Sequence, residues 1–240
     1  MFRIQDLCAR SIKEVLSGIS LEVKNGQVLA ILGKSDSGKH LLGEILAGKC
    51  PAISGEIITN NYRRHTHRQK TQIQTGYLAN PVQLEEFLTG FELLDLIGSL
   101  YHLSPVARTQ RIAVLANTLE IGQALYSVIE STDPATRQKI ALAIALIHSP
   151  KVLILDEPAQ YLDFVGQKQV ERLITDQTNE GSSVVLITDN LELAERLADE
   201  IIILDQGQIL LAGTLQRLIN QTKSRAHSLD GVMKTIFGYA

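Results

Sequence analysis

Residues 33–40 have the sequence Gly33-Lys34-Ser35-Asp36-Ser37-Gly38-Lys39-His40. The apolar run Val28–Leu32 precedes this stretch, and a helical pattern follows it from about Lys39. A glycine-rich turn between a buried strand and a helix presents successive backbone N–H groups and a helix N-terminus, which together bind anions. Lysine at this point of the turn is typical of a phosphate-binding loop, in which it reaches the β- and γ-phosphates. The stretch therefore predicts a phosphate-binding loop.

A second element is the stretch Lys151–Pro158, an apolar strand pattern that ends in the adjacent acids Asp156 and Glu157. In phosphoryl-transfer sites such a strand end supplies the aspartate that holds Mg²⁺, and a neighbouring glutamate orients and deprotonates water. Acidic pairs at strand ends also occur as plain loop residues. Because the pair occurs together with the upstream loop, the functional interpretation is favoured.

The rest of the chain alternates strand and helix patterns. Apolar runs at Val152–Leu155, Val184–Ile187 and Ile201–Leu204 predict strands with helices between them. From about Leu84 to Ile147 the period is helical. Strands that alternate with helices indicate an α/β fold with a parallel sheet, here interrupted by a helical insertion.

Local signals predict several boundaries. Asn25-Gly26, between the runs Ile19–Val23 and Val28–Leu32, predicts a β-hairpin. Ser104 before Pro105 predicts a helix start, and Gly48 predicts the end of the helix that begins near Lys39. We also expect apolar helix faces at Leu41, Leu42, Ile45, Leu46, Leu93, Leu94, Ile97, Leu100, Ile112, Leu115 and Leu119.

Composition excludes several classes of protein. The 240 residues carry a net charge of −3, so the whole chain is not a generic nucleic-acid binder. The longest apolar run, Ile140–Ile147, is far shorter than the ~18–20 residues that span a bilayer. Cys8 and Cys50 form no metal or redox motif and are expected to be reduced thiols. The basic cluster at residues 62–70 is short, which favours a solvated loop or helix end over a nucleic-acid contact.

Together these motifs resemble the ATP-binding cassette of ABC transporters, over nearly the full chain. Leu162-Asp163 stands where the family's D-loop ends, and Thr75–Leu78 resembles the strand that leads into the Q-loop. Ala141–Leu146 is similar to the helix after the family's signature sequence. Leu191–Asp199 with Ile201–Gly213 resembles the helix, strand and turn that follow the switch histidine.

The resemblance implies a P-loop NTPase of ABC type, with a parallel-sheet core, an N-terminal antiparallel β region and an inserted α-helical subdomain. Residues 1–240 would form a single nucleotide-binding domain, with its α/β core at about 1–80 and 151–240 and the helical subdomain at about 81–150. The implied cofactors are ATP and Mg²⁺. The implied partners are an integral-membrane permease subunit and a second cassette, as a homo- or heterodimer, with no nucleic acid. The implied location is cytoplasmic, peripheral on the cytoplasmic face of the membrane.

Several positions that contact nucleotide in the family differ here. His40 replaces the hydroxyl residue that binds Mg²⁺, and imidazole is a poor substitute for a hard oxygen ligand. Asp36 stands where the family usually has glycine, and Asn80 takes the place of the Q-loop glutamine. Asp189 replaces the switch histidine, and a carboxylate cannot donate to the γ-phosphate and would repel it. No aromatic residue near Cys8–Ser11 offers itself to stack on adenine.

The signature Leu-Ser-Gly-Gly-Gln aligns with Thr132–Thr136, where none of its residues is retained. Pro134 has no N–H to donate, and Asp133 introduces a negative charge. The structural interpretation of this stretch is the better one, with Asp133 as the N-cap of a helix and Pro134 as its first residue.

The resemblance assigns roles to individual positions. Glu157 is the catalytic candidate, with Asp189 at the degenerate switch position. Asp156 is the candidate ligand for Mg²⁺, which we expect to be bound weakly or not at all. The signature and dimer contacts would fall on Asp133, Pro134, Ala135 and Asp163. The nucleotide-binding positions are Gly33, Lys34, Ser35, Asp36, Ser37, Gly38, Lys39, His40, Leu41 and Asn80.

Three functions are open at this point. The substitutions favour a degenerate ATP-binding subunit with weak or absent hydrolysis, which docks on a permease and pairs with another cassette. The alternative is an active ATPase subunit that drives export through a permease. A soluble, non-transport member of the family is disfavoured, because such relatives usually carry two cassettes or a long inserted coiled coil, and this chain has neither.

Overall fold

The fold is taken from a computed structural model, which describes residues 1–224 and 226–238. The strands are β1 (Phe2–Arg10), β2 (Val15–Val23), β3 (Val28–Gly33), β4 (Ser54–Thr59), β5 (Tyr62–Arg63), β6 (Thr75–Leu78), β7 (Val152–Asp156), β8 (Ser183–Ile187), β9 (Glu200–Asp205) and β10 (Gln208–Gly213). The helices are α1 (Lys39–Ala47), α2 (Arg68–Ile73), α3 (Gly90–Leu100), α4 (Pro105–Leu119), α5 (Pro134–Leu146), α6 (Phe164–Asn179), α7 (Leu191–Leu197), α8 (Leu215–Thr222) and α9 (Leu229–Phe237).

A six-stranded sheet forms the centre of the fold, in the order β10-β9-β3-β8-β7-β6. The neighbouring strands from β9 to β6 are parallel, and only β10 is antiparallel to its neighbour. Strands β3, β7 and β8 are buried along their whole length, which is why they appear in the sequence as unbroken apolar runs. The predicted parallel sheet is confirmed.

A second, antiparallel sheet has the order β2-β1-β4-β5. The predicted hairpin around Asn25-Gly26 is wrong, because β2 pairs with β1 whereas β3 lies in the other sheet. Both edges of β3 are occupied by the parallel strands β8 and β9, so β3 has no edge left for β2. The Asn-Gly turn therefore carries the chain from one sheet to the other.

The segment between β6 and β7 is mainly helical. Helix α3 begins with a capping box, in which Thr89 and Glu92 bond to each other's backbone N–H. Helix α4 begins as predicted, with Ser104 as the N-cap and Pro105 as the first residue. Most of the predicted apolar positions on these helices are buried, but Leu100 is exposed because it lies in the last turn of α3, beyond the packed stretch.

Helix α1 begins at the phosphate-loop lysine and ends as the sequence predicts. Its face at Leu41, Leu42 and Ile45 is buried with the side chains of β3. Gly48 closes the helix with φ of 80°, a left-handed conformation that favours glycine. None of the helices in the described part of the chain has the length and apolar character needed to cross a membrane.

The burial of His148 predicts that the free energy of unfolding depends on pH. Its ring stacks on Tyr101 at 3.8 Å between centroids, and its Nε2 donates to the carbonyl oxygen of Thr75 at 3.2 Å. Burial lowers the pKa of His148 from 6.5 to about 4, so the folded chain holds it neutral. The unfolded chain takes up a proton below about pH 6.5, so stability falls from there toward pH 4, by roughly 2–3 kcal/mol.

The measurement is denaturant unfolding at pH 7 and pH 4.5 of the wild type and of His148→Phe, which keeps the ring stack. The variant should lose less stability over this interval by about 2 kcal/mol. His65→Gln, a change at an exposed histidine, serves as the control and should behave like the wild type. An identical pH dependence in His148→Phe would contradict the assignment.

Candidate nucleotide-binding site

Sheet topology brings most of the predicted site residues to one edge, whereas Asp133–Ala135 and Asp163 lie at the starts of α5 and α6. Strands β3, β8, β7 and β6 are neighbours in the order of the sheet, and all four run in the same direction. Their carboxyl ends lead into the loop 33–40, Thr188-Asp189, Asp156-Glu157 and Asn80, respectively. Ligands of open α/β sheets bind at this edge. Asn80 is half-buried two residues beyond β6.

The loop 33–40 has the geometry of an anion cradle. Gly38 has φ of 90°, which favours glycine, and a Cβ at Gly33 would lie 2.6 Å from Ser37 Oγ. The carbonyl oxygen of Ser37 accepts a hydrogen bond from Gly207 N at 3.0 Å, which ties the loop to the turn between β9 and β10. The backbone N–H groups at the start of α1 follow directly.

The loop divides into an outer and an inner part. Lys34, Ser35 and Asp36 are exposed, so Asp36 is free to turn away from the cradle. Ser37, Gly38, Lys39 and Leu41 are buried. Ser37 Oγ has no hydrogen-bond partner among the described residues, which is unusual for a buried hydroxyl and is consistent with a site built for a polar ligand.

Lys39 is completely buried and is already paired. Its Nζ donates to the carbonyl oxygen of Gly33 at 2.8 Å and to Asp189 Oδ1 at 2.5 Å. The sequence predicts Asp189 only as a group that repels the γ-phosphate. The structure adds that Asp189 bonds the same amine that would bind this phosphate.

His40 is likewise paired, with the candidate metal ligand. Its Nδ1 lies 2.8 Å from Asp156 Oδ1 and 3.0 Å from Oδ2. The hydrogen bond to Asp156 raises the pKa of His40, so this pair retains a proton where a cation would sit.

A magnesium ion does not fit this arrangement. Asp156 is buried, and both of its carboxylate oxygens face the imidazole. Mg²⁺ requires oxygen ligands in a tight octahedral geometry, and the imidazole stands at the loop position where the resemblance implies a hydroxyl ligand. Within residues 1–224 and 226–238 no group of three or more His, Cys, Asp or Glu side chains could hold a metal ion.

Glu157 is held by the residues that follow β8. Its Oε1 accepts from Asp189 N at 2.7 Å, and its Oε2 accepts from Thr188 Oγ1 at 3.1 Å. Gln138 Nε2 donates to the carbonyl oxygens of Glu157 and Pro158. Burial and then the charge of Asp189 raise the pKa of Glu157. Both carboxylate oxygens of Glu157, the predicted catalytic base, therefore already accept internal hydrogen bonds.

The stretch at the signature position is a helix cap. Asp133 is the N-cap of α5 and Pro134 its first residue, so this prediction is confirmed. Asp133 accepts hydrogen bonds from Thr136 N at 3.0 Å and from Thr136 Oγ1 at 2.6 Å, and these bonds lower its pKa. A side-chain carboxylate therefore takes the place at this helix N-terminus where a phosphate could otherwise bind. Ala135 is half-buried against the helical core.

Asp163 plays the same structural part for α6. It is the N-cap of that helix and accepts from Gly166 N at 2.8 Å. Large apolar side chains surround this cap and face solvent: the exposed fractions are 60% for Tyr161, 73% for Phe164 and 57% for Val165. An exposed apolar cluster of this kind is typical of an interaction surface.

A cavity of about 790 Å³ opens beside the outer part of the loop. It is lined by the β1–β2 connection, including Ile12 and Lys13, and by Ser35, Asp36 and His40. Its size is suitable for a nucleotide. Ile12 is fully exposed there, so this connection offers an aliphatic contact to a base.

Three residues of the site were not predicted from the sequence. Thr188 adjoins the predicted Asp189, so its position after a buried strand was a usable signal. Gly207 lies in a turn between two strands, where glycine is common for local reasons. Gln138 lies within a helix pattern, and no local feature distinguishes it from a surface glutamine.

Gly207 should be intolerant of any side chain. It has φ of 76°, and a Cβ there would overlap the carbonyl oxygen of Val15. We expect Gly207→Ala to lower the free energy of unfolding by at least about 3 kcal/mol, because the cost of the left-handed backbone conformation is added to the cost of the clash with Val15. Gly181→Ala is the matched control, since Gly181 has φ of 87° with no atom within 4 Å of the added Cβ, and it should cost about 1 kcal/mol. Equal losses in denaturant unfolding would contradict the close approach to Val15.

Comparison with known proteins gives the family of the chain. The family model for ABC transporters matches residues 16–160. An uncharacterized ABC transporter ATP-binding protein of Synechocystis sp. is 29% identical over 91% of this chain, which spans 62% of that protein. The daunorubicin resistance ATP-binding protein DrrA3 of Streptomyces coeruleorubidus is 30% identical over 88% of this chain and is covered to 66%. The chain thus spans about two thirds of the length of these relatives.

Solved structures agree as well. The ATP-binding subunit of an ABC transporter superposes with a TM-score of 0.91 at 26% identity, over 99% of both chains. A dimeric ATP-binding cassette in a post-hydrolysis state, bound to ADP and Pi, superposes with a TM-score of 0.82 over 89% of this chain and 98% of its own, and at 20% identity it shows the fold alone. The predicted ABC-type fold is confirmed. The chain belongs to the ABC transporter family, as one of its ATP-binding subunits.

Proposed function

We propose that this chain is a degenerate ATP-binding subunit that binds nucleotide weakly and hydrolyses ATP slowly or not at all. In this proposal it docks on an integral-membrane permease, on the cytoplasmic face, and pairs with another cassette. Residues 1–80 and 151–240 would form the nucleotide-binding core, and residues 81–150 the helical subdomain that carries the altered signature position.

The internal pairing of the site carries this proposal. Lys39 bonds Asp189 and His40 bonds Asp156, so both cationic side chains at the inner end of the loop are engaged by carboxylates. The terminal phosphate of ATP would have to displace Asp189 from Lys39 before it could bind this amine. The hydrolytic step would then lack a metal position and a donor at the switch, which are the groups that stabilise charge in phosphoryl transfer.

Pairing with a second cassette is supported by the apolar side chains around Asp163. Tyr161, Phe164 and Val165 leave large hydrophobic areas exposed next to the D-loop position. The dimeric cassette with the same fold is consistent with this surface being an interface. What is transported, and in which direction, would be decided by the permease.

The second candidate is an active ATPase that drives export, and one observation favours it. Glu157 follows β7 directly, where a catalytic base is required, and it is held in place by Thr188 and by the backbone of Asp189. A relative named for daunorubicin resistance is consistent with an export system. The two candidates share the fold and the partners and differ in turnover.

Steady-state phosphate release by the purified chain and by Glu157→Gln distinguishes them. If the chain is a degenerate subunit, phosphate release should be low and Glu157→Gln should leave it unchanged, because no metal or donor positions the base. Glu192→Gln, at a side chain that is 83% exposed, is the matched control. Vigorous release that is lost in Glu157→Gln but kept in Glu192→Gln would establish the active ATPase instead.

A further inference from the structure

The loop lysine has limited capacity left for a ligand. A lysine ammonium offers three donors, and Lys39 uses two of them, on Gly33 O and on Asp189 Oδ1. Lys39 is completely buried, so its amine has few other partners within reach. One donor therefore remains for an incoming phosphate, where a phosphate-loop lysine usually serves both the β- and the γ-phosphate.

The side of the lysine that would face a third phosphate is acidic. Asp189 lies against the amine, and its backbone N–H is anchored on Glu157. Asp156 is the last residue of β7 and Glu157 follows it directly. The Asp156 carboxylate is hydrogen-bonded to His40. A γ-phosphate would bring further negative charge beside Asp189 and Glu157, and these carboxylates would repel it.

The part of the loop that holds the first two phosphates is intact. Gly33 and Gly38 permit the close backbone turn, the buried Ser37 hydroxyl has no partner among the described residues, and the N-terminus of α1 points into the loop. Successive backbone N–H groups at such a turn cradle the α- and β-phosphates. Apart from Asp36, which is exposed and free to turn away, the substitutions therefore fall on the γ-phosphate end of the site.

We infer that the site selects a nucleoside diphosphate over a nucleoside triphosphate, with Asp189 in the place that a γ-phosphate would take. This inference rests on the proposed degenerate subunit and names its ligand. In this inference Asp189 does more than replace a switch histidine: the Asp189 carboxylate takes the place of the terminal phosphate as the partner of Lys39. Such a chain would hold the diphosphate to a larger extent than a site that does not distinguish the two nucleotides.

The test is competition of ADP, ATP and AMP against a fluorescent ADP analogue on the full chain, in a chelator so that no metal contributes. We expect ADP to bind about tenfold more tightly than ATP, a difference of ~1.4 kcal/mol, and AMP to bind more weakly than ADP.

Asp189→Asn, which keeps the shape of the side chain but not its charge, should reduce the preference for ADP to within about twofold. Asp189→Ser should do the same; Lys39 keeps the carbonyl oxygen of Gly33 as a partner in both variants, and thermal melting checks that both remain folded. Asp176→Asn, an exposed carboxylate on α6, is the matched control and should keep the wild-type ratio.

Each outcome decides the inference. A triphosphate that binds as tightly as the diphosphate, or more tightly, overturns it, as does the absence of binding by either nucleotide. A preference for ADP that survives in Asp189→Asn overturns the role of Asp189. The proposed function has its own readout, since phosphate release that depends on Glu157 would refute the degenerate subunit whatever the ratio of ADP to ATP affinity.

Discussion

Replacing His40 by serine and Asp189 by histidine together should raise the affinity for ATP by one to two orders of magnitude and make it dependent on Mg²⁺. His40→Ser frees Asp156 from the imidazole and supplies the hydroxyl that binds the metal. Asp189→His releases Lys39 and replaces a repelling carboxylate by a donor. Removing one like-charge contact near 5 Å at an effective dielectric of ~20 changes the binding energy by up to about 3 kcal/mol.

Isothermal titration with ATP, with and without Mg²⁺, measures this effect. The wild type should bind ATP weakly and show little response to the metal, whereas the double variant should lose most of its gain on chelation. His65→Ser with Asp176→His makes the same two kinds of change at exposed positions outside the loop, and it should behave like the wild type. An unchanged affinity in the double variant would show that the two internal pairs do not limit binding.

Hydrolysis should appear only when the signature position is repaired as well. In the proposed pairing, the signature position of one subunit would face the nucleotide held by the phosphate loop of the other, so a homodimer of this chain would need both repairs. Grafting Leu-Ser-Gly-Gly-Gln onto residues 132–136 of the double variant should increase phosphate release on the order of 100-fold, because it restores donors to the phosphate-facing helix N-terminus. The graft removes the Asp133 carboxylate and Pro134, which has no N–H.

The graft is expected to fold, because it replaces Asp133 by serine, which also caps helices well. Thermal melting confirms this before the kinetic comparison. The essential comparison is the double variant with and without the graft, each with Glu157→Gln as the inactive reference. Full activity in the double variant without the graft would show that residues 132–136 do not limit turnover.

Much of the fold could be predicted because its signals are local. The apolar runs of β3, β7 and β8 reflect their complete burial, and the caps at Ser104, Asp133 and Gly48 depend on residues within one helical turn. Binding positions in a phosphate loop are similarly contiguous in sequence. Features of this kind can be predicted from one sequence, because they do not depend on which strands and helices come together in the fold.

The error at Asn25-Gly26 shows where local information ends. The dipeptide correctly predicts a turn, but the partner of each strand is chosen by competition for sheet edges. Strand β3 is enclosed by β8 and β9, which come from more than 150 residues further along the chain. The same limit explains Leu100, whose apolar side chain fits the helical pattern although nothing covers the end of α3.

By itself, the sequence determined the α/β class, and it predicted the phosphate loop, the acidic strand end and the substitutions at the family's hydroxyl, switch and signature positions. Only the tertiary structure decided what the substituted residues do. His40 and Asp156 are 116 residues apart, and Lys39 and Asp189 are 150 apart. They meet because β3, β8 and β7 are neighbours whose carboxyl ends share one edge. When the fold brings groups of opposite charge together in a partly buried site, they form ion pairs, since a buried charge without a partner is costly.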